Sequence, residues 1–290
     1  MGKPPSQAHP HPLPQAGGGH VAPALTFSTT QLAAISDTPR LDAELLMAHA
    51  LGIPRDKLLM WGMERAVPPE FAPLLARRMC HEPVAYIIGT KAFWSIDLAV
   101  TPDVLIPRPD SETLIAAAVA HFGSAGPRTV LDLGTGSGAL LLAALAEWPR
   151  TKGMGIDASP AALAVAHNNA DHLGLSDRAR FQLGDWGIGL DERFDLILCN
   201  PPYIEANAAL APNVTDYEPH SALFAGADGL DDYRRLLPQL HSLLVQGGIA
   251  CLEIGHRQRE AVTALGLAEG FTVACHQDLG GRDRCLVLSA

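Results

Sequence analysis

The chain has 290 residues, with 31 Asp and Glu against 21 Lys and Arg, a formal net charge of −10. At about 150 residues per domain that length suggests two domains. With 48% hydrophobic and 18% charged residues, the composition is globular and not that of a disordered chain. The acidic balance argues against a protein held on nucleic acid by a general basic surface. Cys80, Cys199, Cys251, Cys275 and Cys285 are odd in number and far apart, so neither a zinc site nor a disulfide framework is signalled. They read as small reduced thiols, and the expected location is cytoplasmic, with no membrane association. The longest apolar stretches, 114–120 and 139–146, fall short of the ~18 residues a membrane span needs. No secretory signal is expected either.

Residues 1–28 are rich in Pro, Gly, Ala and His and are expected to be a disordered tail. His9, His11 and His20 lie there without the spacing of a compact metal site, and no metal is expected. Residues 29–85 read as a small helical domain. Leu41, Leu45, Leu46 and His49 repeat at helical spacing, as do Leu74, Leu75 and Arg78. Pro54, Pro68 and Pro69 punctuate these segments. Residues 86–107, with Gly89, β-branched residues and Pro102, predict a β-hairpin connector. From 108 to 290 a second domain follows, in which strands and helices alternate after Gly126-Pro127. Strands are predicted at 129–133, 153–157, 179–183, 194–199 and 249–254, and helices at 139–148, 160–173 and 231–245. Residues 271–277 and 284–288 predict an antiparallel pair. The fold class is therefore α/β: a mostly parallel sheet with helices on both faces and an antiparallel addition at one side.

Gly134-Thr135-Gly136-Ser137-Gly138 follows the first strand of this domain and opens a helix. Its G-x-G-x-G spacing differs from the G-x-G-x-x-G of dinucleotide folds. Asp157 ends the second strand, where a carboxylate can accept from both ribose hydroxyls; capping the next helix is the alternative. After the third strand, Asp185 can accept from an adenine amino group and Trp186 offers a flat face, unless the indole only fills core. These strand ends describe a site for an adenosine with a small charged tail, which S-adenosylmethionine fits better than a nicotinamide cofactor.

Asn200-Pro201-Pro202-Tyr203 follows the fourth strand at its carboxyl end, the edge where open α/β sheets bind ligands. Two prolines stiffen the backbone and leave carbonyl acceptors. Asn200 adds a side-chain oxygen and Tyr203 an aromatic wall. Such a set suits a planar NH2 group, whereas an isolated turn of this kind would be merely rigid.

These motifs resemble class I methyltransferases that act on planar NH2 groups, and more closely the PrmC/HemK family. The likeness runs from about residue 30 to the end. It includes residues 82–89, 105–112, 157–160, 217–223 and 228–231, with Ser111 where the family usually has Thr. The resemblance implies a seven-stranded class I methyltransferase domain and an N-terminal domain that recognises substrate. It places Gly134 to Gly138, Asp157, Trp186 and Asn200 around S-adenosylmethionine, and Asn200 to Tyr203 around the acceptor. The acceptor it implies is the N5 amide of the Gly-Gly-Gln glutamine in peptide chain release factors, methylated by a monomer that binds no nucleic acid directly. Arg108 and Glu112 are expected to latch the domains or shape the pocket, and residues 204–220 to cover the glutamine. The rival readings are a ribosomal-protein glutamine methyltransferase, an adenine-N6 DNA methyltransferase, a non-catalytic S-adenosylmethionine-binding module and, more remotely, a nicotinamide dehydrogenase. Release factors must present basic surface to ribosomal RNA, so an acidic enzyme should attract them. Association with a release factor is expected to slow as salt rises, and a stopped-flow rate independent of salt would contradict this.

Overall fold

A computed structural model describes residues 19–290, which form two compact units. The first comprises the described residues through Ile88 together with Pro212–Tyr217. It is helical: α1 (Val21–Leu32), α2 (Pro39–Ala50), α3 (Arg55–Lys57) running into a π-turn at Leu58–Gly62, α4 (Phe71–Met79) and α5 (Val84–Ile88). Helix α1 begins well inside the segment expected to be a tail, whose first 18 residues lie outside the described ones. Val21, Leu25, Ser28 and Leu32 share one face of α1 and are buried. Pro23 had masked this helix, but it sits in the first turn, where a missing N–H costs nothing. The hydroxyls of Ser28 and Thr29 donate to the carbonyls of Ala24 and Leu25, at 2.8 and 2.7 Å, which spares them water.

A buried ion pair ties α2 to α4. Arg78 Nε donates to Asp42 at 2.8 Å, and Ser36 and Thr38 donate to the same carboxylate. Leu46, Met47, Leu58, Phe71 and Leu75 close around it.

The second unit opens with the hairpin of β1 (Thr90–Phe93) and β2 (Ile96–Ala99), so the expected connector at 86–107 starts later, its first residues being helical. Helix α6 (Glu112–Phe122), to which the sequence reading assigned no element, follows a short 3-10 turn. Then come β3 (Thr129–Leu133), α7 (Ala139–Glu147), β4 (Lys152–Asp157), α8 (Pro160–His172), β5 (Ala179–Leu183) and β6 (Phe194–Cys199). The four-residue α9 (Pro212–Thr215) belongs with the helical unit. The chain ends with α10 (Asp231–Leu243), β7 (Leu244–Glu253), α11 (Arg259–Ala268), β8 (Thr272–Gln277) and β9 (Asp283–Ser289). Helix α11 is likewise absent from the expected elements, and β7 begins earlier than expected, running through Gly247 and Gly248.

The seven strands lie in the order β5-β4-β3-β6-β7-β9-β8. The first five are parallel, and β9 is antiparallel to both neighbours. Alternate residues feed opposite faces. Val130, Leu196, Leu198 and Cys251 join α6 and α7 in one core. Leu131, Ile197, Cys199 and Leu252 join Tyr233, Leu236 and Leu240 of α10 in the other. Strand order reverses between β3 and β6, which opens a crevice at their carboxyl ends. Among the described residues no helix is long and apolar enough to cross a membrane. Cys199, Cys251 and Cys285 are buried free thiols, whereas Cys80 is exposed.

Replacing Asp42 by Ala leaves Arg78 charged and unpaired in the helical unit. It is expected to lower stability by about 3–5 kcal/mol, read as a fall in the urea midpoint.

Candidate active site

The loop after β3 turns on three glycines with positive φ: Gly134, Gly136 and Gly138 at 73°, 54° and 83°. Four of its five N–H groups are spent inside the protein. Gly134 and Thr135 both donate to the Ile156 carbonyl at 2.9 Å, and Gly138 donates to the Thr135 carbonyl at 2.8 Å. Gly136 donates to Asp157 Oδ2 at 2.8 Å. A phosphate cradle needs such donors free, so this loop is not one.

Beneath the loop lies Asp132, which motif reading passed over although it directly precedes Leu133-Gly134. Its Oδ2 accepts from Thr135 Oγ1 at 2.6 Å and from the Leu141 N–H at 3.2 Å, while Oδ1 is buried without a partner. Burial, opposed by those bonds and reinforced by the charge of Asp157, pushes the Asp132 carboxyl up to about 7. Asp157 Oδ1 takes the Ser159 N–H at 2.9 Å, and Ser159 itself caps α8 by accepting from Ala162. Asp157 therefore ties β4 to the loop, and the capping role falls to its neighbour.

Trp186 has φ 52° and lies flat enough on the loop that a Cβ on Gly134 would meet the indole at 3.3 Å. The indole and Asp232 both line the cavity. Both oxygens of Asp185 accept from Arg235 at 2.7 Å, an exposed pair that holds the third strand end to α10.

At the end of β6, Asn200 Nδ2 donates to Ser111 Oγ at 3.1 Å, leaving Oδ1 as the end of the amide that can accept. Tyr203 turns its hydroxyl to Glu253 Oε1 at 3.2 Å and packs on the α10 side of the sheet, so it does not line the cavity. Burial and the Glu253 charge raise the Tyr203 phenol well above its ordinary value. Pro201 is buried and Gly138 caps α7; neither lines the cavity either.

Arg108 and Glu112 do not pair with each other. Arg108 pairs with the buried Glu218 at 2.5 Å, and Glu112 accepts the Trp94 N–H at 2.9 Å. Of residues 204–220 only Pro219 reaches the cavity, followed by Ser221 and Ala222. Tyr217 instead donates to the Cys80 carbonyl within the helical unit.

Gly134, Thr135, Gly136, Ser137, Asp157, Asp185, Trp186, Asn200 and Pro202 share one cavity of about 580 Å³, within the size range of small-molecule sites. Among known proteins, the family pattern described as PrmC N-terminal domain matches residues 23–89, and one described as Methyltransferase domain matches residues 127–260. The release factor glutamine methyltransferase of Rhodospirillum rubrum is 45% identical, covering 87% of this chain and 79% of its own length. That of Cereibacter sphaeroides is also 45% identical, covering 91% and 96%. The chain belongs to the release factor glutamine methyltransferase family. A methyltransferase from Pyrococcus furiosus shares the fold at TM-score 0.51 and 19% identity, covering 75% of this chain and 98% of that one.

The chain is thus an S-adenosylmethionine-dependent methyltransferase of the class I fold, and the DNA-methyltransferase and dehydrogenase readings fall away. The residues present fit the cofactor. An orphaned carboxyl oxygen on Asp132, a second carboxylate on Asp157 and a loop with four of its five N–H groups already spent suit a cationic, phosphate-free nucleoside. Open space beside Gly136 lets such a ligand approach the backbone.

Because the folded Asp132 carboxyl holds its proton up to about 7 and the unfolded one releases it near 3.8, folding stability from this group falls as pH rises through that window. Asp132→Asn removes the slope. Urea midpoints at low and neutral pH should diverge between wild type and variant, the wild type losing more on going to neutral pH.

Proposed function

We propose that the enzyme transfers the methyl group of S-adenosylmethionine to the side-chain amide nitrogen of the glutamine in the Gly-Gly-Gln motif of peptide chain release factors. The observation that carries this reading is the orientation of Asn200 in the cavity. With Nδ2 donated to Ser111, Oδ1 is an acceptor, and Pro202 of the same turn stands beside it on the cavity wall. The relatives' names supply the substrate class.

Bound cofactor supplies an electrophilic sulfonium methyl. The amide nitrogen it must reach is a poor nucleophile, because resonance gives the C–N bond its rotation barrier of ~18–20 kcal/mol. No residue of the turn is a strong base, so deprotonation before attack is not invoked. Asn200 Oδ1 takes one hydrogen of the NH2 group, and a main-chain carbonyl of the same turn takes the other. They aim the nitrogen and stabilise the positive charge that grows on it during transfer. Fixing both reactants in one cavity contributes up to ~7–11 kcal/mol by proximity alone. The N-methylated amide then returns its extra proton to water. Trp186, Asp185, Asp157 and the loop from Gly134 to Gly138 hold the cofactor, and the helical domain recognises the release factor.

Asn200→Ala is expected to abolish transfer while calorimetry still detects cofactor binding. Incubation with labelled cofactor and purified release factor, followed by mass spectrometry, tests the acceptor. The label should lie on the Gly-Gly-Gln glutamine; methylation of another site, or of a ribosomal protein instead, overturns the reading.

A further inference from the structure

The short stretch from Arg108 to Ser111 is held at both ends by ion pairs whose buried members lie elsewhere in the fold. At one end Arg108 reaches Glu218, whose side chain is wholly buried. At the other, Asp110 Oδ2 meets Arg284 Nη2 at 2.9 Å, the guanidinium side chain being 7% exposed and the carboxylate side chain 47%. Arg284 stands on β9, and its Nη1 donates to the Ile254 carbonyl at 3.2 Å. Its own carbonyl accepts the Ile254 N–H at 2.8 Å. Asp278 lies 3.6 Å from its Nε and is fixed in turn by the N–H groups of Gly280 and Arg282. Neither Arg284 nor Asp110 lines the cavity, so the transfer step does not use them directly.

What this stretch carries is Ser111. The residue is buried, lines the cavity, and accepts from Asn200 Nδ2 at 3.1 Å through its Oγ. Pro109–Ser111 is a single 3-10 turn, closed by the Ser111 N–H on the Arg108 carbonyl at 3.1 Å. One turn with one such bond has little stiffness of its own, so its placement falls to the groups that hold its ends.

We infer that Arg284 is a positioning residue for methyl transfer: through Asp110 it fixes the turn that carries Ser111, and so the place of the Asn200 amide. This rests on the proposed amide acceptor and deepens it. The last torsion of an asparagine has a broad minimum, so its own rotamer does not hold the amide plane. Ser111 Oγ supplies that constraint, and it is only as well placed as the turn beneath it. Misplacement by about 1 Å can cost a reaction roughly 10²-fold. Arginine suits the task because two nitrogens of one rigid fork serve Asp110 and the Ile254 carbonyl together, whereas lysine offers a single point charge.

The test is a double-mutant cycle on Asp110→Asn and Ser111→Ala, with Arg284→Lys alongside. Each protein is measured for single-turnover methyl transfer to saturating release factor, cofactor affinity by calorimetry and urea midpoint. Ser111→Ala should slow transfer roughly 10–100-fold, and Asp110→Asn and Arg284→Lys roughly 5–30-fold, with cofactor affinity within about twofold of wild type. Because Asp110 acts through Ser111, the double variant should be no slower than Ser111→Ala, within about twofold. A merely structural pair would instead lower the urea midpoint and leave the folded enzyme's transfer rate alone. If Arg284→Lys does not fold, the cycle decides by itself, since Asp110 is half exposed and Arg284 keeps Asp278. Wild-type transfer in Asp110→Asn, or losses that multiply in the double variant, overturns the positioning role. If wild type itself methylates no release-factor glutamine, it is the acceptor reading that fails, and the positioning role falls with it.

Discussion

Two carboxylates at the carboxyl edge of the parallel strands set the character of the whole site. Asp157 takes the Gly136 N–H, and Asp132 takes the Thr135 hydroxyl and the Leu141 N–H in the first turn of α7. A glycine loop at a helix N-terminus ordinarily attracts anions, because unpaired N–H groups and the helix dipole point the same way. Here most of those donors are consumed, and carboxyl groups occupy the place an anion would take. The same backbone shape that elsewhere grips phosphate is thereby turned toward a cationic nucleoside. The position of the cavity, its ligand and the packing of Trp186 on Gly134 all follow from that inversion.

The acceptor side is built on a second principle, hydrogen-bond direction. Asn200 Nδ2 donates to Ser111 Oγ, and the Tyr203 hydroxyl, with a single proton to commit, donates to Glu253. A network with few protons has few arrangements, and a low-dielectric interior makes each wrong arrangement costly. Rigidity of the proline pair fixes the backbone, but the proline pair does not decide which atom of Asn200 faces outward. The bond to Ser111 does. Glu218 serves a comparable end on the other wall, where it holds Arg108 and the Ile106 N–H just ahead of Ser111.

Much of this was legible in residue order. The glycine spacing, the strand-end positions of Asp157 and Asn200, the period change after Gly126-Pro127 and the terminal antiparallel pair are all local patterns, and each has its counterpart in the structure. Departures occurred where local pattern was silent or misleading. Pro23 and five β-branched or hydroxyl residues disguised α1, whose apolar face makes sense only against α2 and α4. The uniformly apolar α6 lacks the polar face that marks an amphipathic helix, since it is buried on the sheet. Nothing in the order of residues points Arg108 to Glu218, 110 positions away, as its partner.

By itself the sequence determined the fold class, the edge of the sheet that carries the cavity and the cofactor class. Those depend on side-chain periodicity and on motifs a few residues long. Only the tertiary structure decided who bonds to whom: Ser111 with Asn200 across 89 positions, Tyr203 with Glu253 across 50, and Asp157 with Gly136 across 21. The reason is physical. A polar side chain does not choose its partner by distance along the chain, but by which groups are stranded beside it once the sheet has closed and water has left.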